Sequence, residues 1–316
     1  DVSRWVCDAN EAITLFLGTN GFKPEMTYAV VGQEEKIVGY RDLKVNLCYT
    51  PGSLMPYFEM SYASQIPRKL GYPRPMDVYK MMREKHFVDF LPNRAAFEAQ
   101  CAKDARRFRP PGVKVHEYRA PAPQPRAATS TPMATYEIYE CAYDTPGWVE
   151  YSRRLQLFLL WYIEGATFVD EDDAQWRFLL LFEKRPLAAP TAADPFLIMP
   201  PYQAQGHGGR FYDHLVALFR ADRRVCDFTV EEPNESFHVM RLRHDARCLA
   251  PLLRERQLGP EVLSPTHPEF VRLLKETKIN AKQLTHALEM TLRAVLPRHD
   301  AAVQTAYRRA VKARIY

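Results

Sequence analysis

Residues 196–210, FLIMPPYQAQGHGGR, concentrate the side chains and backbone whose spacing could do chemistry. Phe196, Leu197 and Ile198 read as a short apolar strand; two prolines and a polar turn follow, and a helix runs on through 211–215. The turn holds Gln203, Ala204, Gln205, Gly206, His207, Gly208 and Gly209. Its glycines let the backbone curl without a Cβ clash. Where the curl becomes helix, unsatisfied N–H groups converge on one place, backed by the positive end of the helix dipole. That is a cradle for a phosphate or pyrophosphate. A P-loop is disfavoured, because no Gly-Lys-Ser/Thr follows. A Rossmann fingerprint is disfavoured too, because the turn comes at least two strands into its domain. Three acidic clusters, at 34–35, 170–173 and 231–232, stand out on a chain of net charge +5. An acidic groove suits a basic peptide; solvated loop charge is the alternative for any one cluster.

The elements that must position these groups follow from periodicity. Alternation predicts strands over 12–17, 44–49 and 57–62, the last two joined by the turn Thr50-Pro51-Gly52-Ser53. Helices are expected over 76–84 and 94–107, the second opened by Pro92-Asn93 and stopped by Pro110-Pro111-Gly112. The segment 120–132, APAPQPRAATSTP, reads as a linker or exposed loop. A strand at 136–142 leads to one long helix from Trp148 to about Glu164, with Trp148, Tyr151, Leu155, Phe158, Leu159 and Tyr162 on its buried face. Residues 177–183, RFLLLFE, read as a strand covered on both faces, 184–194 as a loop, and 225–231 as a further strand. Three amphipathic helices are expected over 268–277, 281–295 and 301–313.

Length suggests two or three domains, and 47% hydrophobic with 26% charged residues is the balance of a globular protein. No apolar run approaches the roughly 18–20 residues of a membrane helix. No secretory leader is visible, and a start at Asp1 suggests that the true beginning lies upstream. Basic residues are scattered without an RNA-binding signature, so nucleic acid is not an expected partner. Six dispersed cysteines without a CxxC pair argue against a metal site or disulfide framework and for buried thiols in a reducing compartment.

Strand, then Gln203-x-x-Gly206-x-Gly208, then helix is similar to the phosphate-binding signature of the GNAT acetyltransferases. The flanks narrow it. LIMPPYQ at 197–203, FLLWYIEGATFVD at 158–170, Trp176 with FEK at 182–184, and DFTVEEP at 227–233 resemble the catalytic subunits of the type B histone acetyltransferases. GYRDLK at 39–44, GSL at 52–54 and KIN at 278–280 agree, so the resemblance runs in order over nearly the whole chain.

The resemblance implies an α/β (α+β) protein with a GNAT acyltransferase fold and a mixed, mostly antiparallel sheet. Its expected parts are a mixed histone-binding domain over 1–134, an acetyl-CoA-binding catalytic domain over 135–250 and a small helical domain over 251–316. It implies acetyl transfer from acetyl-CoA to lysines of newly made core histone, chiefly the histone-four tail. A lysine with pKa near ~10.4 is charged at neutral pH, so a base must take its proton. By resemblance Glu231 is that base, and Glu164 and Glu232 fill positions that the family keeps acidic; clustered carboxylates raise one another's pKa. Backbone N–H groups of Phe196, Leu197 and Ile198 are expected at the acetyl and pantetheine end, and those of Gln203–Gly209 at the pyrophosphate. Asn234 and Arg243 match further coenzyme contacts, though Arg243 reads equally as a surface charge. His207 sits inside the turn, where its backbone rather than its ring is expected to matter. Glu35, the acids near Asp170 and Trp176 are expected along the peptide groove; a lone tryptophan is more often core. A core histone tail and a WD40-type histone chaperone are the implied partners, with residence in nucleus and cytoplasm and no membrane. A GNAT enzyme for another protein or amine, and a non-catalytic histone-binding subunit, are the alternatives. One segment departs from the family pattern: between Glu183 and Phe196 a long tyrosine-rich strand pair is expected, and only about a dozen loop-like residues stand there.

Overall fold

The computed structural model describes residues 3–68, 72–86, 88–122, 133–169, 171, 176–185, 188–193, 198–230 and 233–315. Its contacts divide the chain into two units, Asp1–Gln205 and Gly206–Tyr316. The fold is α+β, with both described four-stranded sheets in the first unit and helices dominating the second.

The first sheet is built from β1 (Ile13–Leu17), β2 (Asn20–Phe22), β3 (Lys44–Tyr49) and β4 (Pro56–Ser61), in the order β2-β1-β3-β4. β1 and β3 run parallel, from Ile13 opposite Val45 to Leu17 opposite Tyr49. The alternation read in β1 has its physical cause here: Ile13, Leu15 and Leu17 are buried while Thr14 and Phe16 are partly open. β3 and β4 form the expected antiparallel hairpin across the Thr50–Ser53 turn.

The second sheet has the order β8-β7-β6-β5 and is antiparallel throughout, from β5 (Val113–Pro121), β6 (Met133–Ala142), β7 (Arg177–Arg185) and β8 (Ala188–Ala193). Two of these strands correct the sequence reading. β5 occupies residues between the proline stop and the expected linker, and it takes in Ala120 and Pro121. β8 lies where a loop is expected; Leu181, Phe182 and Glu183 pair with Ala193, Ala192 and Thr191. Neighbouring strand backbone captures this Ala/Pro/Thr stretch despite its weak propensity.

Helices α1 (Val78–Lys85), α2 (Arg94–Arg107), α3 (Trp148–Gln156) and α4 (Leu159–Tyr162) complete the first unit's main elements. The long helix expected from Trp148 is two pieces. At Leu157-Phe158 the bonds tighten to an i−3 pattern, with Phe158 N–H on Leu155 O at 3.1 Å and Trp161 N–H on Phe158 O at 3.2 Å. This offset seats Phe158 against Tyr49 of the first sheet, ring centroids 4.7 Å apart, while Trp148 lies 4.5 Å from Phe178 of the second.

The second unit contains α5 (His207–Ala221), α6 (Glu235–Glu255), α7 (Pro268–Thr277), α8 (Ala281–Val295) and α9 (Ala301–Ile315). The expected strand at 225–231 is not formed among its described residues. Phe228 makes only a parallel bridge to Ile279, its N–H donating to Lys278 O at 3.0 Å. The boundaries expected after residues 134 and 250 fall within elements. β6 crosses residue 134 and hydrogen-bonds to both neighbours, and α6 runs unbroken through residue 250.

None of the described helices is long and apolar enough to cross a membrane. Cys48 and Cys141 are buried as expected of inert thiols, with the Cys48 thiol pushed up to about 11 by burial; Cys226, by contrast, is exposed.

Candidate functional site

The approach to the turn is wound onto itself. Pro200–Tyr202 form a single 3-10 turn, with Tyr202 N–H on Met199 O at 2.8 Å and Gln203 N–H on Pro200 O at 3.2 Å. Gln203 Nε2 donates to Ile198 O at 2.8 Å and Gln205 Nε2 to Pro201 O at 2.9 Å. Both carboxamides therefore brace the turn. Ala204 takes a positive φ of 59° within it. Phe196 and Leu197 lie outside the described residues, and Ile198 is irregular rather than strand.

Below this turn is a tie that sequence reading missed. Tyr202 Oη donates at 3.0 Å to Glu183, a carboxylate only 4% exposed on β7. A buried ionisable group on a sheet needs such a partner. The visible signal was a single glutamate closing an otherwise apolar strand, RFLLLFE.

In the second unit, α5 starts at Gly206, which adopts φ 78° and offers no capping side chain. The first intrahelical bond is Arg210 N–H to Gly206 O at 3.2 Å. Gly208 and Gly209 thus present N–H groups without intrahelical acceptors, at the positive end of a 15-residue helix. Gly209 is required for a second reason: a Cβ there would stand 2.3 Å from His244 Nε2. His244 Nδ1 is in turn 2.7 Å from Asp213 Oδ1. Glycine, histidine and aspartate are thereby brought together behind the helix start, a grouping that their sequence separation hid. The His207 ring is buried, so it is not offered to a ligand from this turn.

The helix bearing the turn is anchored by a buried polar cluster. Tyr212 Oη donates to Asp245 Oδ1 at 2.8 Å and Gln283 Nε2 to Oδ2 at 2.9 Å, joining α5, α6 and α8. Burial pushes the Asp245 carboxyl up, and these two donors with nearby Arg241 work against the rise. Arg241 itself lies over the Phe228 ring, 5.7 Å from its centroid.

Other expected site residues take varied positions. Glu231 and Glu232 lie outside the described residues. Glu164 is exposed in the turn after α4, and its carboxylate has no hydrogen-bond partner among the described residues. Asn234 caps α6, its Oδ1 accepting Phe237 N–H at 2.8 Å, and Arg243 is exposed on the same helix. Trp176 is 45% exposed and stacks on Phe178 at 6.3 Å, so it is not core. Glu35 is turned onto its own neighbourhood: Thr27 N–H, Tyr28 N–H and Asn10 Nδ2 all donate to it, and the first of these chiefly holds its carboxyl below the usual range. Glu171 is held by Arg153 through bonds of 2.8 and 2.6 Å, while Asp170 and 172–173 lie outside the described residues. Among the described residues no three His, Cys, Asp or Glu side chains gather as a metal site.

The family model described as histone acetyl transferase HAT1 N-terminus matches residues 5–164, half of the chain. The chain belongs to the family of type B histone acetyltransferase catalytic subunits. Full-length agreement accompanies that match. A histone acetyltransferase type B catalytic subunit of Mycosarcoma maydis is 32% identical, with 93% of this chain and 75% of the relative covered. Proteins of the same name from Cryptococcus neoformans and Rattus norvegicus are each 28% identical; they cover 100% and 99% of this chain, and 90% and 81% of their own length is matched. In type B histone acetyltransferase terms, the family model ends at Glu164, and the glycine turn lies in the part that only the full-length relatives cover.

Proposed function

We propose that this chain is a histone lysine N-acetyltransferase that uses acetyl-CoA, working through the GNAT-type turn at 203–209. The observation that carries the coenzyme assignment is the uncapped α5 start at Gly206, with glycines at 208 and 209 leaving backbone N–H groups for an anion. In this reading those groups hold the pyrophosphate, and backbone at Phe196, Leu197 and Ile198 holds the acetyl and pantetheine end. Asn234 has its amide NH2 left over from capping, and it joins Arg243 as a further coenzyme contact. Acetyl-CoA supplies an acyl thioester; the chain supplies orientation and a base.

Glu231 takes one proton from the incoming lysine ammonium; the amine then attacks the thioester carbon directly, the C–S bond breaks, and the coenzyme leaves as a thiolate that takes up the second nitrogen proton, without a covalent enzyme intermediate. Glu232 and the exposed Glu164 add negative potential that draws the ammonium in and favours the protonated form of the base. Trp176 is open to pack against the aliphatic part of the target lysine. Glu35 shapes the peptide groove through the loop that it braces. The favoured substrate is newly made core histone, chiefly the histone-four tail. A WD40-type chaperone is the proposed partner, and nucleus and cytoplasm are the proposed compartments.

Calorimetry with acetyl-CoA and transfer of labelled acetyl to separate core histones test this reading together. Micromolar coenzyme binding with preferred labelling of histone four is expected. Glu231→Gln should lower kcat by roughly 10²–10⁴-fold while leaving acetyl-CoA affinity intact. An unchanged rate in that variant would remove the base assignment, and a preference for polyamines would remove the histone one.

A further inference from the structure

The unit Asp1–Gln205 holds a cleft of about 740 Å³ whose walls include none of the residues assigned above. Phe108 and Tyr151 form its aromatic wall, with ring centroids 5.9 Å apart, and prolines at 110, 111 and 146 extend the apolar surface. Arg154 reaches the same space from α3. Its Nε donates to Ser53 O at 2.7 Å. Ser53 is itself fixed by the buried carboxylate of Asp104, which accepts its N–H and its hydroxyl, each at 2.7 Å. The other Asp104 oxygen is taken by Gln100 Nε2 at 2.7 Å. Asp104 therefore fixes the loop, and the loop fixes the guanidinium.

The remaining Arg154 nitrogens donate to nothing among the described residues, and none of those residues forms an ion pair with it. Burial weighs against its charge and lowers its pKa. Asp104 and Glu150 favour its charge only from a distance, so a half-buried guanidinium held by a single carbonyl gains when an oxyanion meets it directly. Two further features favour an anion in the same cleft. Arg109 stands exposed on the wall, and α3 begins at Gly147 without a capping side chain. Asp144 is the only acid among the lining residues.

We propose that this cleft binds a peptide through one oxyanionic side chain, a carboxylate or phosphate clasped by Arg154 and Arg109, with flanking residues laid on Phe108 and Tyr151. The volume exceeds what a bare ion fills, and the aromatic and proline walls suit an extended peptide flank. The basic tail acetylated in the proposed reaction does not supply this chemistry, so the ligand is a different segment from the acceptor lysine.

Three fluorescent peptides of sequence Ala-Leu-X-Pro-Ala, with X glutamate, phosphoserine or glutamine, test this by anisotropy against the full chain. The glutamate and phosphoserine arms separate the two sources of oxyanion; at least one should bind about tenfold or more tightly than glutamine. Arg109→Gln and Arg154→Gln should each remove that preference and leave histone acetylation unchanged. Arg109 is exposed, so its variant carries the test even if Arg154→Gln disturbs the fold. Equal binding of all three peptides, binding of none, or an undiminished preference in Arg109→Gln would overturn the proposal.

Discussion

Gly209 is the residue at which backbone chemistry and packing compete most directly. Its N–H belongs to the open start of α5, and its missing Cβ makes room for the His244 ring. Gly209→Ala should therefore cost about 1–3 kcal/mol in denaturant unfolding through overpacking, and weaken acetyl-CoA binding as the helix start shifts. Adding His244→Ala should recover much of the stability, because it removes the ring that the new methyl meets. No recovery in the double variant would show that the loss comes from elsewhere. The glycine itself was legible, since a G-x-G-G turn before a helix announces a need for bare backbone. The histidine was not. It lies 35 positions on, inside a helix, with no spacing that ties it to the turn.

At the scale of elements, two side-chain bonds tie segments that periodicity alone could not join. Tyr202 links the residues before the glycine turn to Glu183 on β7. Tyr202→Phe removes one donor from a buried carboxylate and should cost about 1–3 kcal/mol in unfolding free energy. Glu183→Gln, which keeps a hydrogen-bonding partner, should cost less; the reverse order would reject this view of the pair. His86 joins the end of α1 to β3. Its Nδ1 lies 2.6 Å from Met82 O, so that nitrogen carries the proton, and Nε2 accepts from Tyr49 Oη at 3.1 Å. Both contacts suit the neutral ring, and burial lowers its pKa to about 4 from 6.5. The unfolded chain takes up a proton below pH 6.5 that the folded chain refuses until about pH 4. Stability from His86 is therefore complete above pH 6.5 and is lost progressively towards pH 4, by about 3 kcal/mol. Urea unfolding of wild type and His86→Gln at pH 7, 5.5 and 4.5 should converge as pH falls; parallel losses would contradict it.

Helices were the most legible elements, and the reason is local. Asn93 and Asn280 accept N–H groups from Ala96 and Gln283, and each stands before a run with helical spacing. Strands 188–193 and 225–231 went wrong in opposite directions because pairing partners, not composition, decide such short segments. Ala188–Ala193 finds β7, and 225–230, half of it β-branched, finds only the single bridge at Phe228.

At the scale of the whole molecule, the family assignment rests on agreement along the full chain. The expected cuts at 134/135 and 250/251 came with the family resemblance. The contacts divide the chain between Gln205 and Gly206, inside the glycine turn. Expression of fragments designed on those cuts at 134/135 and 250/251 would interrupt β6 or α6. The position of β8 carries another consequence. Among the described residues it is the outermost strand of its sheet, and its third residue, Pro190, has no N–H to extend a ladder. An open strand edge invites pairing with another chain, and proline there discourages it. Pro190→Thr should restore a donor and raise β-propensity, giving faster light-scattering growth and thioflavin binding on prolonged incubation. If the variant and wild type stay equally clear, edge pairing at this strand is not what limits solubility. If the variant aggregates faster, a short, proline-bearing strand at this edge serves to discourage amyloid-like self-association.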